Sequence, residues 1–241
     1  CEKFHGAVIA HAGTADTRVF REVTQLGKEL EKIGSRVMGS ENHAKVGIIF
    51  DWENYWALEY TSGPNRDLRY VDQIEQMYNY FYNKNIAVDM IPIDADFSKY
   101  DLVAAPVLYM VKDGVAESLE AYVQAGGTLI TTYMSGIVGQ SDNVHLGGYP
   151  GPLRKMAGVW VEEIDALAPE QRNKIRFADG TEEECRLVCD LMHLEGAEEI
   201  AQYESDFYAG MPCVTRNQYQ NGTAYYIGTD PDDEFLADFF D

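Results

Sequence analysis

The sequence predicts an α/β protein in which helices cover a parallel sheet. Strand-like apolar segments alternate with helical patterns between residues 45 and 133. The helical patterns recur at intervals of roughly thirty residues, which fits successive βαβ units. Two turn signals in the C-terminal third, Asp179-Gly180 and Asn221-Gly222, predict antiparallel hairpins in addition. A chain of 241 residues is long enough to bury a substantial core.

The first 34 residues predict a strand and a helix that stand apart from the sheet. Residues 3–10 are apolar enough for a short strand, and Gly34 suits the end of the helix. One face of the helix carries apolar residues at alternating spacings of four and three: Val19, Val23, Leu26, Leu30 and Ile33. Residues 35–44 show no periodicity and predict a linker between domains.

Four parallel strands are predicted over residues 45–50, 86–93, 100–107 and 128–133. Helical patterns lie between them over residues 71–81 and 113–123. Residues 134–152 are rich in glycine and proline, and an irregular segment of that length is usually functional. The hairpins follow, and Pro231 at a first helical position predicts a terminal helix.

Charge excludes two classes of partner. With 40 acidic and 19 basic side chains the net charge is −21, so the chain repels nucleic acid and anionic membranes. No apolar window is long enough to span a membrane, and the N-terminal residues lack the basic start of a signal peptide. The four cysteines show no disulfide or redox spacing, which favours the cytoplasm.

No cofactor or metal is expected. The sequence after the first parallel strand contains neither a GxGxxG motif nor a P-loop. Cys185, Cys189 and His193 could ligate zinc, but they lack a convincing fourth ligand. Isolated thiols that behave as small apolar groups are the favoured interpretation.

A nucleophile is possible where the fourth strand ends. Hydrolases and amidotransferases place theirs on a sharp turn at this point, and Ser135 lies there with His145 ten residues further on. The flanking GxSxG pattern is missing, which argues against a nucleophile. An amidotransferase-like hydrolase that uses Ser135 nevertheless stays open as an alternative.

Aromatic residues gather after the first parallel strand. Trp52, Tyr55 and Trp56 lie among carboxylates such as Glu53 and Glu59. They could form a free-standing sugar-binding module or a subunit interface, where tryptophan and tyrosine are enriched, and we favour the interface. The run from residue 147 to 154 adds two more contact candidates, which are Tyr149 and Arg154.

Paired carboxylates could also serve a glycosidase. Glu53 with Glu59, and Glu162 with Glu163, are the available pairs. In a chain with 40 acidic residues such pairs have little diagnostic value.

Several motifs resemble glycoside hydrolase family 42 β-galactosidases. The segments 1–8, 11–13 and 17–23 are similar to the end of the catalytic barrel in that family. FDWENYWALE at residues 50–59 resembles the first strand end of its middle domain, and residues 135–138 and 146–154 resemble its signature loop. The resemblance continues to residue 230 and covers nearly the whole chain.

The resemblance implies a fold and an organisation. It implies a flavodoxin-like, class I glutamine amidotransferase-like parallel sheet with helices on both faces and without amidotransferase catalysis. Residues 1–34 would be the last strand and helix of the catalytic barrel, residues 35–44 a linker, and residues 45–241 an amidotransferase-like trimerisation domain.

It also implies a function. Enzymes of the family are homotrimers that hydrolyse terminal non-reducing β-D-galactosides with retention, using two barrel glutamates. No residue of this chain matches those glutamates, so we expect no catalytic residue here and no activity from the chain alone. Glu2 and His5 match the E-x-x-H motif that contacts the galactose hydroxyls in the intact enzyme.

Charge bears on the implied trimer, because three copies that each carry −21 repel one another. We therefore expect a subunit interface that is poor in acids and built from aromatic and glycine-rich segments. Association should strengthen with added salt, which screens the repulsion.

Overall fold

The chain divides into two compact units with the boundary between His43 and Ala44. A computed structural model describes residues 8–61 and 63–240. The first unit contains α1 (Arg18–Val37), which confirms the predicted helix. Thr17 caps its start, because the side-chain oxygen accepts a hydrogen bond from the backbone N–H of Phe20 at 3.1 Å. The strand predicted over residues 3–10 begins outside the described residues.

The apolar face of α1 is open. None of the residues of this helix is buried. The side chains of the stripe are 39% to 56% exposed: Val19, Val23, Leu26, Leu30, Ile33 and Val37. Among the residues that the structure describes, no helix is long and apolar enough to cross a membrane.

The second unit begins with a parallel set of strands, β1 (Val46–Ile49), β2 (Val88–Ile91), β3 (Leu102–Ala105) and β4 (Thr128–Thr132). They are ordered β2-β1-β3-β4, and β10 (Gly222–Ile227) adds in parallel to β4. The connections contain α2 (Trp52–Tyr60), α3 (Tyr70–Asn83) and α4 (Val115–Gln124). All four residues of β1 are buried, as expected for a strand covered on both faces. The four predicted strands are thus confirmed.

The rest of the unit is antiparallel. It contains β5 (Val159–Ala166), β6 (Asn173–Phe177), β7 (Glu182–Leu194), β8 (Glu198–Tyr203), β9 (Pro212–Tyr219) and β11 (Thr229–Pro231), with the helices α5 (Arg154–Ala157) and α6 (Asp233–Phe240). The β6–β7 and β9–β10 pairs are antiparallel, which confirms both predicted hairpins. The second turn is formed by Gln220 and Asn221, one residue earlier than predicted, because Gly222 already pairs with Tyr219.

The predicted flavodoxin-like, class I glutamine amidotransferase-like sheet is wrong for this chain. Across the described residues, eleven strands form one mixed sheet, ordered β11-β7-β6-β8-β9-β10-β4-β3-β1-β2 with β5 paired to β7. Six of these strands join it through antiparallel pairs. The reason is that β10 pairs with β4 on one side and with β9 on the other, so the hairpins extend the parallel set.

The core lies on both sides of the parallel strands. Ile48 of β1 and Ile130 of β4 pack with Ile74 and Phe81 of α3. On the other side, Val103 of β3 packs in the cluster that includes side chains of α4. The carboxyl ends of β1, β3 and β4 are thereby held at one edge of the sheet, where the candidate residues lie.

Candidate functional site

The first candidate surface begins where β1 turns into α2. Asp51 caps the helix, since one carboxylate oxygen accepts a hydrogen bond from the backbone N–H of Asn54 at 3.0 Å. Its other oxygen lies 2.8 Å from the Lys112 ammonium, which also contacts Glu53 at 2.6 Å. Lys112 is therefore shared by two carboxylates of this acidic turn, and the formal charges of the three groups sum to −1.

Asn54 fixes α2 to the loop after β3. It is fully buried. Its side-chain amide donates to the carbonyl oxygen of Val107 at 3.0 Å, and its side-chain oxygen accepts from the N–H of Met110 at 2.7 Å. Buried backbone groups need hydrogen-bond partners, so these two bonds hold α2 in one position against the loop after β3.

The outer face of α2 carries three aromatic side chains at helical spacing. Trp52, Trp56 and Tyr60 are 59%, 52% and 88% exposed, and we call them the aromatic patch. The ring centroids of the two tryptophans lie 6.1 Å apart, with an angle of 37° between the ring planes. Tyr55 is half-buried and stacks on the buried ring of Tyr70, which anchors the patch to the core.

The glycine-rich loop is shaped by close backbone approach. Gly136 has φ +65°, and a Cβ atom there would lie 2.0 Å from the carbonyl oxygen of Pro150. Gly148 has φ +95°, and a Cβ there would lie 2.6 Å from the indole nitrogen of Trp160. Glycine is therefore required for this loop to fold back on itself.

Arg154 ties the loop to the antiparallel half of the sheet. Its guanidinium contacts the two carboxylate oxygens of Glu195 at 2.6 and 2.5 Å and donates to the carbonyl oxygen of Gly147 at 2.7 Å. It also lies 5.6 Å from the ring centre of Trp160. A bidentate pair of this kind gives geometric specificity as well as energy.

A second exposed surface surrounds this arginine. Leu146 and Val144 are 96% and 54% exposed, while Tyr149 and the Arg154 side chain are half-buried. We call these four residues the loop patch.

Ser135 is not placed for nucleophilic attack. It is fully buried, and its hydroxyl donates to the carbonyl oxygen of Thr132 at 2.5 Å and accepts from the N–H of Leu108 at 3.1 Å. Met134 holds the sharp turn with φ 58°. The sharp turn is thus present at the end of β4, but the hydroxyl of its serine makes hydrogen bonds to backbone groups.

Two buried carboxylates lie near this turn. Asp190 on β7 accepts hydrogen bonds at one oxygen from the hydroxyl of Tyr226 at 2.7 Å and from the N–H of Met134 at 3.2 Å. Burial raises its pKa to about 7, although both hydrogen bonds oppose the rise. Asp230 on β11 is fully buried beside Arg186 at 2.8 Å, and burial raises its pKa to about 6 against the opposing charge of the arginine.

Sequence reasoning missed Asp190 and Asn54. It placed Asp230 as the cap of the terminal helix with Pro231 at the first position, which is wrong, because both lie in β11 and α6 begins at Asp233. The signal for Asp190 was present, since a carboxylate interrupts the apolar run from Leu187 to Met192. A charged residue within such a run indicates a buried polar contact.

The zinc hypothesis does not fit the geometry. Cys185 and Cys189 are buried, whereas His193 is exposed, stacks on Trp160 and lies 2.6 Å from Glu162. Within residues 8–61 and 63–240, the one group of three side chains close enough to share an ion is acidic and contains no cysteine or histidine.

The remaining candidates are dispersed or undescribed. Glu53 forms an ion pair with Lys112, and a carboxylate oxygen of Glu162 lies 2.6 Å from the ring nitrogen Nε2 of His193. Their proposed partners, Glu59 and Glu163, are exposed. The sugar-contact candidates of the N-terminal segment, at positions 2 and 5, lie outside the described residues.

The fold and these two surfaces define a domain with a mixed sheet and covering helices that exposes aromatic and apolar side chains. Residues 44–241 match the family described as the beta-galactosidase trimerisation domain, and residues 1–33 match the beta-galactosidase family. The chain therefore belongs to the beta-galactosidase trimerisation domain family.

Individual beta-galactosidases are similar over nearly the full chain. LacZ of Lactobacillus acidophilus is 52% identical over 239 residues, which are 99% of this chain and 36% of that protein. BgaP of Planococcus sp. is 50% identical over 244 residues, with the same coverage. The chain thus spans little more than a third of these relatives.

Solved structures have the same fold. The beta-galactosidase of Bacillus circulans sp. alkalophilus superposes with a TM-score of 0.86 at 48% identity, covering 98% of this chain and 36% of that one. The beta-galactosidase of Rahnella sp. R3 gives a TM-score of 0.84 at 47% identity, covering 100% of this chain and 36% of that one.

Proposed function

We propose that this chain is the trimerisation region of a homotrimeric β-galactosidase. The observation that carries the proposal is the family match over residues 44–241. In this proposal residues 1–34 are the last strand and helix of the catalytic barrel, residues 35–44 are a linker, and residues 45–241 hold the subunits together. The match of residues 1–33 to the beta-galactosidase family supports the first assignment.

The whole protein would hydrolyse terminal non-reducing β-D-galactosides with retention. Its catalytic acids would lie in the larger part of the protein that corresponds to the unmatched two-thirds of the relatives. Glu2 and His5 would contact galactose hydroxyls in the assembled active site, and the chain itself would supply no catalytic residue. We place the enzyme in the cytoplasm, which is supported by free thiols at Cys185, Cys189 and Cys213.

The open stripe of α1 supports the barrel assignment. An amphipathic helix with an apolar face normally buries that face against its own domain. Here the stripe is about half exposed along its whole length. In the intact enzyme the rest of the barrel would cover it.

The interface candidates are Trp52, Tyr55, Trp56, Tyr149 and Arg154. Four of them belong to the two surfaces, and Tyr55 contacts Trp52 of the aromatic patch. Tryptophan, tyrosine and arginine dominate the energetics of interfaces. The two indoles are more than half exposed, and the ring of Trp52 contacts those of Phe50, Tyr55 and Trp56. Exposed and preorganised aromatic groups of this kind gain most from burial by another subunit.

Two measurements on the full-length protein test the proposal. Light scattering should give three subunit masses, and a chromogenic β-galactoside should be cleaved by the full-length protein but not by residues 1–241 alone. Cleavage by residues 1–241 would refute the assignment. Saturable binding of lactose to this chain that Trp52→Ala abolishes would instead favour a sugar-binding surface.

A further inference from the structure

We infer that one water molecule binds inside the sheet unit, where it bridges the hydroxyl group of Tyr133 and the side-chain amide of Gln73. Such a site ties α3 to the sharp turn at the end of β4. Both side chains are buried within this chain, so the site depends neither on the number of subunits nor on any exposed surface.

Tyr133 brings a polar group into the core at the end of β4. The residue is fully buried and directly precedes Met134, whose φ of 58° forms the sharp turn. Its backbone N–H donates to the carbonyl oxygen of Ile227 at 2.6 Å. Among residues 8–61 and 63–240, however, its hydroxyl group has no hydrogen-bond partner. A buried hydroxyl group without a partner costs free energy, and internal water commonly supplies the missing bond.

Gln73 brings a second polar group from α3. This helix packs on the sheet through Ile74, Met77 and Phe81, and Gln73 lies on the same buried side with 7% of its surface exposed. A hydrogen bond from its amide lowers the pKa of Asp230, so the N–H of the amide faces that carboxylate. The side-chain oxygen of Gln73 therefore stays available to accept another hydrogen bond.

A small cavity joins these two groups. Its polar lining comes from Gln73, Thr132, Tyr133 and Thr229, and its volume is about 10 Å³. A volume of this size holds one water molecule and no larger ligand. Both threonine hydroxyl groups already form hydrogen bonds with backbone groups of the sheet unit. The cavity thus offers a place for water beside the hydroxyl group that needs a partner.

The chemistry of the lining favours water over a metal ion. The phenol can donate to the water oxygen, and the water can donate to the side-chain oxygen of Gln73. The remaining lining is largely apolar and includes Met77, Ile227 and Leu236. Calcium and magnesium take at least about six oxygen ligands, which this lining does not supply.

Gln76 closes one side of the cavity. Its amide donates to the carbonyl oxygen of Pro231 at 2.9 Å and to a carboxylate oxygen of Asp233 at 3.2 Å. The same side chain also lines a larger cavity of about 200 Å³. Water can therefore reach the inner site when this one side chain moves, without unfolding of α3.

A crystal structure of the full-length protein at a resolution that orders internal water tests the site. A density peak should lie within hydrogen-bond distance of the Tyr133 hydroxyl and the Gln73 side chain, roughly 2.6–3.2 Å from each. Tyr133→Phe should abolish the peak, because the water then keeps too few polar partners. Tyr122→Phe is the control, since that hydroxyl bonds directly to the carbonyl oxygens of Tyr100 and Thr128, and the peak should remain.

Two results in the crystal would overturn the inference. One is a cavity without density in the unaltered protein. The other is a direct hydrogen bond from the Tyr133 hydroxyl to Gln73, Asp190 or Asp230. Either result would mean that water does not supply the missing bond.

Hydrogen exchange in the full-length protein gives an independent readout at the backbone N–H of Tyr133. Tyr133→Phe and Gln73→Leu each remove one bond to the water and should speed exchange there about fivefold. Because both act through the same water, the double variant should exchange within about twofold of the faster single variant. Multiplying effects would show that the two side chains share no water. Slower exchange in Tyr133→Phe would show that the hydroxyl group has no partner at all.

Neither readout depends on subunit number. A full-length protein that never forms a trimer would refute the proposed function and leave this inference intact.

Discussion

Replacing Asp190 with asparagine should remove a loss of unfolding free energy that the unaltered protein undergoes as the pH rises. The carboxylate is fully buried and accepts hydrogen bonds from Tyr226 and from the backbone of Met134 at one oxygen only. Its other oxygen has no hydrogen-bond partner. Asparagine keeps an oxygen to accept both hydrogen bonds and removes the charge.

The sign and size of the effect follow from the pKa. Burial raises the pKa of Asp190 from 3.8 to about 7, so the folded protein holds a proton that the unfolded chain has already released. The stability from this group is fully present below pH 4 and is lost as the pH rises through about 7. Between pH 5 and pH 8 the unfolding free energy of the unaltered protein should fall by about 2.5 kcal/mol relative to that of Asp190→Asn.

Urea unfolding followed by tryptophan fluorescence measures this difference, because all three tryptophans lie in the sheet unit. Asp94→Asn is the control, since it makes the same chemical change at an exposed position. Its pH profile should parallel that of the unaltered protein. If Asp190→Asn also gives a parallel profile, the raised pKa of this carboxylate is not a property of the folded state.

Further substitutions probe the loop, the second buried acid and the attachment of α2. Gly136→Ala would place a Cβ 2.0 Å from a backbone carbonyl oxygen, and it should cost at least about 2 kcal/mol more than Gly147→Ala, where nothing lies within 4 Å. Arg186→Ala leaves the Asp230 carboxylate buried without its cation. It should cost about 2 kcal/mol at pH 8, less than for a fully buried pair since the arginine is half exposed. The cost should shrink in acid, where the carboxyl group is protonated. Asn54→Ala removes two buried hydrogen bonds and should cost about 3 kcal/mol.

The same unfolding assay checks each of these substitutions. Equal losses for the two glycine variants would mean that the loop path does not depend on the close approach at position 136. A cost for Arg186→Ala that does not change with pH would contradict the role of the arginine as counter-ion to Asp230. A loss below about 1 kcal/mol for Asn54→Ala would mean that water satisfies the freed backbone groups.

Local patterns predicted the strands of the parallel half and both hairpins. Short apolar strands separated by helical periodicity specify βαβ units without reference to the rest of the chain. The turns at Asp179-Gly180 and Asn221-Gly222 likewise specify antiparallel neighbours. These patterns do not show which other strand of the sheet pairs with the free edge of a hairpin. The parallel pairing of β10 with β4 joins the hairpins to the first half in one mixed sheet, and that long-range contact carries no local signature.

The aromatic candidates follow from local spacing in the sequence, whereas the buried contacts depend on long-range pairing. Trp52 and Trp56 are four residues apart on one helix, so a shared face could be predicted from spacing alone. The pairing of Lys112 with Asp51 and Glu53 joins residues about sixty positions apart. Such a contact depends on how the strands assemble, and helix or strand periodicity does not reveal it.

Sedimentation equilibrium of the full-length protein over a range of sodium chloride concentrations tests the central claim most directly. We predict a mass of three subunits and a tighter assembly as salt is added, because each chain carries a net charge of −21 that salt screens. A mass of one or two subunits at every protein and salt concentration would contradict the assignment of residues 45–241 as the region that holds a trimer together.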